Sequence, residues 1–386
     1  MKISILLESF QPEYWGGRET RWKNLIELLS ESNQLVIYGD FSRISSDIAF
    51  PGVQAEFINI GVLPPMYGSN GNRSLKHAVI YTSKAHKILF SKSDILLTDQ
   101  TPLISIPIVR FFCLLSRIEL SVTWHEVWNF QTWFRYSRLL GVFGVLLQEV
   151  ALLFSKNIVV PSVEVAADLE KRLFSRKSIM IANGARTSIH IRKVNLNQAG
   201  NSSVQLLYVG RLIKHKNCDF LVDVMELASR QRKNWKLTII GIGPLEARLR
   251  ELVRDKNLQE CITFKSNVPE IELMDQYSKS DIFVFPSQRE GYGISVAEAL
   301  SHELPVIVYD CPENAATSLL HTKVSGLKIK KLEASVWIEA IEELLLNQDG
   351  NQFQSQLKIA KWESIANEYS EFLISLMQSR NSRFEL

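Results

Sequence analysis

Short β-favouring apolar runs alternate with amphipathic stretches along both halves of this chain of 386 residues. That alternation confines it to layered α/β folds, because a strand, a helix and a return strand pack as a right-handed parallel crossover. The clearest instance is Asp281 to Leu300, DIFVFPSQREGYGISVAEAL. Ile282 to Phe285 reads as a buried parallel strand that Pro286-Ser287 ends. Apolar residues at 294, 296, 297, 299 and 300 predict a helix from Ile294. Between the two lies a loop carrying Glu290, with Gly291 and Gly293 admitting a close backbone approach. N–H groups near Tyr292 to Ser295 then point at the loop as an anion site. Glu298, four residues after Ile294, can face the same loop. An anion pocket between two glutamates suits a ligand with a diphosphate and two sets of hydroxyls, the outline of a nucleotide sugar. An ordinary strand-loop-helix connection with solvated acids fits this stretch equally well.

The length calls for two cores. In the first half, Lys2 to Leu7 predicts a strand, Gly16-Gly17 a loop, Arg18 to Ser30 a helix and Gln34 to Tyr38 the next strand. Ligands of open α/β sheets sit at such strand exits, although a glycine pair by itself more often marks a turn. Further strands are predicted at Val53 to Ile58, Ile95 to Thr98, Glu119 to Trp124 and Asn157 to Val160, with a helix over Leu75 to Phe90. His125 leaves the third of these at the sheet edge, where a histidine is more than a packed side chain only if other groups join it. Trp124, Trp128, Phe130, Trp133, Phe134 and Tyr136, with Arg135 and Arg138, form a candidate membrane surface. Core packing of a helix is the stronger reading of that stretch.

Ile179 to Gly184 predicts a strand and an Asn-Gly turn, and the polar residues that follow predict an interdomain linker. The organisation read from the sequence is a first domain over 1–185, a linker over 186–203, a second α/β domain over 204–365 and a final helix over 366–386. In the second domain, strand Val204 to Val209 runs into Gly210, Arg211 and, five residues on, Lys216, a fork and a point charge fit to clamp a diphosphate. Solvated loop cations are the plainer alternative. Gly241-Ile242-Gly243-Pro244 imitates a dinucleotide loop, but Glu246 stands where the third glycine belongs, so NAD is discounted.

Net charge is only +3, with 46% hydrophobic and 22% charged residues, which excludes disordered and fibrous classes. Charge is nevertheless uneven. Lys or Arg occupies 171, 172, 176, 177, 186, 192, 193, 211, 214 and 216, with no acid from 171 to 218. A nucleic-acid binder would interleave aromatics with such a run, and only Phe174 and Tyr208 occur in it. Four scattered cysteines indicate neither zinc nor a disulfide framework. Met1 to Phe10 is not expected to be a signal peptide, and Leu139 to Phe154, broken by Gln148 and Glu149, is not expected to cross a membrane. A cytoplasmic protein, peripheral at the inner face of the cell membrane if it meets one, is the expectation.

VGRLIKHK (209–216), IGIGP (240–244), FPSQREGYGISVAEA (285–299) and PVI (305–307), in this order, resemble the retaining glycosyltransferases of the GT-B fold, specifically glycosyltransferase family 4. The resemblance is clear over 204–365 and weaker before. It implies two Rossmann-like domains facing a cleft, a UDP- or GDP-sugar held mainly by the second, a glycan, polysaccharide or lipid-linked acceptor held by the first, and a final helix crossing back. It further implies that Arg211 and Lys216 neutralise the leaving diphosphate and that Glu290 binds donor-sugar hydroxyls. Gly291, Tyr292, Gly293 and Ile294 would hold sugar and phosphates, with the Gly16-Gly17 loop also at the donor. Glu298 would take the ribose, Val268 would lie by the base, and His125 would hydrogen-bond the transferring sugar. Asp-x-Asp occurs nowhere in the sequence, so neither a metal nor another cofactor is expected. The family's glycine pair after PVI is missing, since 308–318 contains no glycine. A non-catalytic nucleotide-sugar-binding protein of the same fold is the alternative.

Overall fold

A computed structural model describes residues 1–8, 10, 16–67, 73–136, 141–186, 203–320, 325–346 and 359–381. The predicted linker lies almost wholly outside them, as does Arg138. Two compact units result: one within Met1–Tyr14, Arg18–Asn183 and Trp362–Leu386, the other within Trp15–Gly17 and Gly184–Lys361.

The first unit is built on seven strands, β1 (Lys2–Leu6), β2 (Gln34–Gly39), β3 (Ala55–Asn59), β4 (Ile95–Asp99), β5 (Glu119–Thr123), β6 (Ile158–Val160) and β7 (Ser178–Met180). They pair in the order β3-β2-β1-β4-β5-β6-β7, every neighbour parallel. All five residues of β4 are buried, as a strand covered on both faces requires. The helix Trp362–Asn381 completes this unit with Trp362, Ile365, Tyr369, Phe372 and Leu373 inside. Arg380 fastens its end, donating to the carbonyls of Asp94 at 2.9 Å and Arg117 at 2.6 Å. The helix expected over 75–90 is α-helical only over Leu75–Lys84 and tightens into a 3₁₀ turn over Ala85–Phe90.

The second unit carries β8 (Val204–Val209), β9 (Trp235–Ile240), β10 (Ile262–Lys265), β11 (Ile282–Phe285), β12 (Val306–Tyr309) and β13 (Gly326–Ile329), ordered β10-β9-β8-β11-β12-β13 and again all parallel. The helix Cys218–Arg230 turns Leu221, Val222, Val224, Met225 and Ala228 onto the sheet. In both sheets the winding reverses beside the first strand, between β1 and β4 and between β8 and β11. Side chains leaving the carboxyl ends of those strands therefore border the crevice where such sheets take ligands.

Trp124 corrects part of the aromatic surface read from the sequence. It is fully buried, its Nε1 donating to Ser155 Oγ at 3.1 Å. The Trp128 and Trp133 rings lie 4.6 Å apart, tilted against each other, and the Trp133 ring occupies the space that a Cβ on Gly144 would need. Phe130 and Phe134 remain exposed.

Candidate active site

At the β8/β11 reversal the second unit pairs Lys216 with Glu290 and brings two arginines near the neighbouring His215. After β8 the chain passes Gly210 and Arg211 into a 3₁₀ turn over Lys214–Lys216. Lys216 is nearly buried there, ion-paired with Glu290, its Nζ lying 5.3 Å from the centre of the Phe285 ring. Burial, together with the charges of Arg289, Lys216 and Arg211, holds the His215 imidazole well below its ordinary pKa. The same charges show that three cations converge on one place, and Arg289 is a member that sequence reading missed. Its signal was adjacency, since it directly precedes Glu290 in the loop.

The loop itself is fixed by backbone. Glu290 N donates to Glu313 O at 2.9 Å, and Ala315 N donates to Glu290 O at 3.0 Å. Asn314, buried, donates its Nδ2 to the carbonyls of Ser287 at 3.0 Å and Tyr309 at 2.8 Å, while its Oδ1 accepts from Ala316 N at 3.1 Å. The segment that lacks the expected glycines thus acts as the brace for Glu290. Gly293 initiates the helix Ile294–Ser301 at φ 93°, a left-handed conformation, and a Cβ there would collide with Ala316. Gly291 and Tyr292 lie half-buried in the loop that this helix N-terminus faces, and Ile294 is buried in its first turn.

Gly241 and Gly243 have a structural role. A Cβ on either would overlap a backbone carbonyl oxygen, of Gly210 and Leu212 respectively. Leu212 N donates to Ile242 O at 2.9 Å, so the two strand-end loops pack backbone to backbone. Val268 stands half-buried after β10 against the core.

Glu298 is buried and receives the Tyr277 hydroxyl on Oε2 at 2.9 Å. Burial pushes its carboxyl up to about 7, opposed by that hydrogen bond and by Arg186. His302 stacks on Tyr277 at 5.3 Å and is held below its ordinary pKa by burial. Nothing in the sequence around Tyr277 pointed to this partnership.

In the first unit a second polar cluster occupies the β1/β4 reversal. Glu8 accepts from Arg18 Nη1 at 2.6 Å and Arg73 Nη1 at 2.6 Å. Burial alone would raise its carboxyl, but Arg73, Arg18 and His77 outweigh that and hold it well below the usual range. Arg18 also contacts Glu19 at 2.8 Å and Asp99 at 3.7 Å. His125 Nε2 lies 2.7 Å from Asp99 Oδ1, and Trp22 Nε1 donates to Asp99 Oδ2 at 2.9 Å. His125 is therefore an oriented side chain. Gly16 and Gly17 group with the second unit, Gly17 beginning the helix Gly17–Leu29. Among the described residues no group of three or more His, Cys, Asp or Glu is placed to hold a metal.

Two all-parallel doubly wound sheets, each reversing beside its first strand, give this chain the α/β fold class of the GT-B proteins. Sucrose-phosphate synthase of Thermosynechococcus elongatus superposes with a TM-score of 0.76 at 16% identity, over 98% of this chain and 100% of that one. Anabaena Alr3699/HepE, solved with UDP and glucose, gives 0.69 at 15% identity, over 97% and 100%. Residues 193–361 match the family model of glycosyl transferases group 1. An uncharacterized glycosyltransferase of Haemophilus influenzae is 22% identical over 312 residues, covering 79% of this chain and 85% of its own.

Proposed function

We propose that this protein is a retaining, metal-independent glycosyltransferase that moves a sugar from a UDP- or GDP-sugar to a glycan, polysaccharide or lipid-linked acceptor. The observation that carries the reading is the gathering of Arg211, Lys216 and Arg289 around His215, with Lys216 paired to Glu290 in the loop that leads to the helix N-terminus at Gly293. Cations fixed at that point stabilise the charge that grows on a departing diphosphate, which is where preorganised electrostatics lowers a barrier most. Arg211 and Lys216 take the leaving group, with the loop of Gly291, Tyr292, Gly293 and Ile294 and the Gly16-Gly17 turn around the donor. Glu290, released from Lys216 as the phosphates arrive, accepts the sugar hydroxyls. Glu298 takes the ribose hydroxyls, Val268 borders the base, and His125, oriented by Asp99, donates to the transferring sugar. Retention follows if the acceptor attacks the face that the diphosphate leaves, a phosphate oxygen taking its proton. The domain organisation we propose is an acceptor-binding domain over 1–185, a linker over 186–203, a donor-binding domain over 204–365 and a closing helix over 366–386. We place the protein in the cytoplasm at the inner membrane face, where a lipid-linked acceptor is presented.

The test is thermal unfolding against UDP, GDP, ADP and NAD with their sugar conjugates. A ligand specific for the folded state adds RT ln(1 + [L]/Kd), about 2.7 kcal/mol at a hundredfold excess. A shift by one nucleoside diphosphate and one of its sugars is expected. A shift by NAD alone, or none, would overturn the reading.

A further inference from the structure

The helix Gly141–Phe154, GVFGVLLQEVALLF, is apolar but for Gln148 and Glu149, yet it lies on the surface of the first unit. Its inner side carries Gly141, Gly144, Gln148, Ala151 and Leu152. The one neutral polar residue in it is spent internally, Gln148 donating to Trp128 O at 2.9 Å and accepting from Trp128 N at 3.0 Å. Its outer side exposes Val142, Phe143 (69% exposed), Leu146 (57%), Val150 and Leu153 at helical spacing. The helix Ser105–Leu115 packs beside it and exposes Ile108, Phe111, Leu114 and Leu115. A helix hydrophobic all round is ordinarily buried, and adjoining exposed apolar faces mark a surface with a partner.

The rim of this face identifies the partner. The segment 171–177, KRLFSRK, borders the helix, Phe174 N donating to Glu149 Oε2 at 3.2 Å and Arg176 Nη2 to Leu153 O at 2.8 Å. It exposes Leu173 (80%) and Phe174 among Lys171, Arg172, Arg176 and Lys177. Lys171 shares its charge with Asp168. Arg172 and Arg176 donate to the carbonyls of Trp128 and Leu153, neutral groups that leave both charges in place. An apolar face with a cationic rim and apolar tips matches the headgroup region of an anionic bilayer, where each part gains separately. A second copy meets the apolar requirement but not the charge. A two-fold contact through this face sets like rims against each other.

We infer that the faces of Ser105–Leu115 and Gly141–Phe154, with 171–177, form a docking surface for an anionic lipid bilayer. This gives the membrane location proposed above a specific surface and does not depend on the transfer reaction. It also moves that surface away from the tryptophans read from the sequence, leaving Phe130 and Phe134 as neighbours of it.

Co-sedimentation of the full chain with vesicles of phosphatidylcholine alone, and with about a third phosphatidylglycerol, tests the inference. Binding to the anionic vesicles only, weakening as salt rises, is expected. The exposed pair Phe143→Ser with Leu146→Ser should lower it about tenfold or more, and Arg176→Gln with Lys177→Gln about fivefold per charge. Both pairs should leave the melting temperature and the nucleoside-diphosphate shift unchanged. No binding of the wild type to anionic vesicles would overturn the inference, as would variants that bind like wild type. So would a wild-type dimer in sedimentation equilibrium that Phe143→Ser with Leu146→Ser makes monomeric, since a second copy would then cover the face. A nucleoside-diphosphate shift without vesicle binding removes this inference and leaves the transferase reading standing, whereas the reverse result does the opposite.

Discussion

The two sheets reverse their winding in the same way, and the two polar clusters at those reversals differ in charge balance. In the first unit Glu8, Glu19 and Asp99 face Arg18, Arg73 and an oriented His125, so acids and bases pair within the cluster. In the second, Lys216 pairs with Glu290 while Arg211 and Arg289 lie near His215, and burial pushes Glu298 toward its neutral form. One backbone geometry therefore supports two different jobs. The first cluster is held together by its own paired charges, whereas the second gathers several cations near one strand exit, a setting that attracts anionic groups.

That contrast can be broken by substitution, the largest effect first. Arg18→Met leaves Glu8 short of a partner in a buried setting and should cost about 3–5 kcal/mol of stability. Urea unfolding checks it, and a loss below about 1 kcal/mol would mean the first cluster is not self-supporting. Glu290→Ala should leave folding nearly intact while lowering turnover about a hundredfold, roughly 2.7 kcal/mol of barrier. Wild-type turnover in a single-turnover assay would remove Glu290 from the reaction.

The third effect is on pH dependence. The Glu298 carboxyl has a folded-state pKa of about 7 against an ordinary 4.5. The native state therefore holds a proton that the unfolded chain has released, and stability falls as pH rises through that interval, on the order of 3 kcal/mol in all. Ionised Glu298 accepts ribose hydroxyls better, so nucleotide affinity should rise over the same interval. Glu298→Gln should flatten both profiles in melts from pH 5 to 8 (about the span of the shift), and an unchanged slope would assign the titration elsewhere. The smallest effect is expected of Lys216→Ala, about a tenfold weaker nucleoside-diphosphate affinity by calorimetry, with the remaining two cations keeping the site attractive. Unchanged affinity would mean that Lys216 serves only to hold Glu290.

Much of this was readable along the chain. The strand Ile282–Phe285, the Glu290 loop and the helix from Ile294 follow from local periodicity and turn residues, which act over a few positions. Glycines were only partly readable. Gly241 and Gly243 look like a cofactor loop in sequence, and only the carbonyls of Gly210 and Leu212 reveal that they let two loops touch. Tyr277 with Glu298, Asp99 with His125 and Arg73 with Glu8 were not readable, because those partners lie on different elements and meet only through strand order. The aromatic stretch after His125 misled in one respect. Composition could not distinguish buried Trp124 from exposed Phe130.

The sequence by itself determined the alternation of strand and helix, the division into two α/β units and the cation and glutamate types at the exits of β8 and β11, since each depends on neighbours close in the chain. Tertiary structure alone decided which charges cancel, which carboxyl keeps its proton and which apolar helix face stays uncovered. Those outcomes depend on burial and on distances between elements far apart in sequence, and electrostatic and hydrophobic energies are set by that environment more than by residue type.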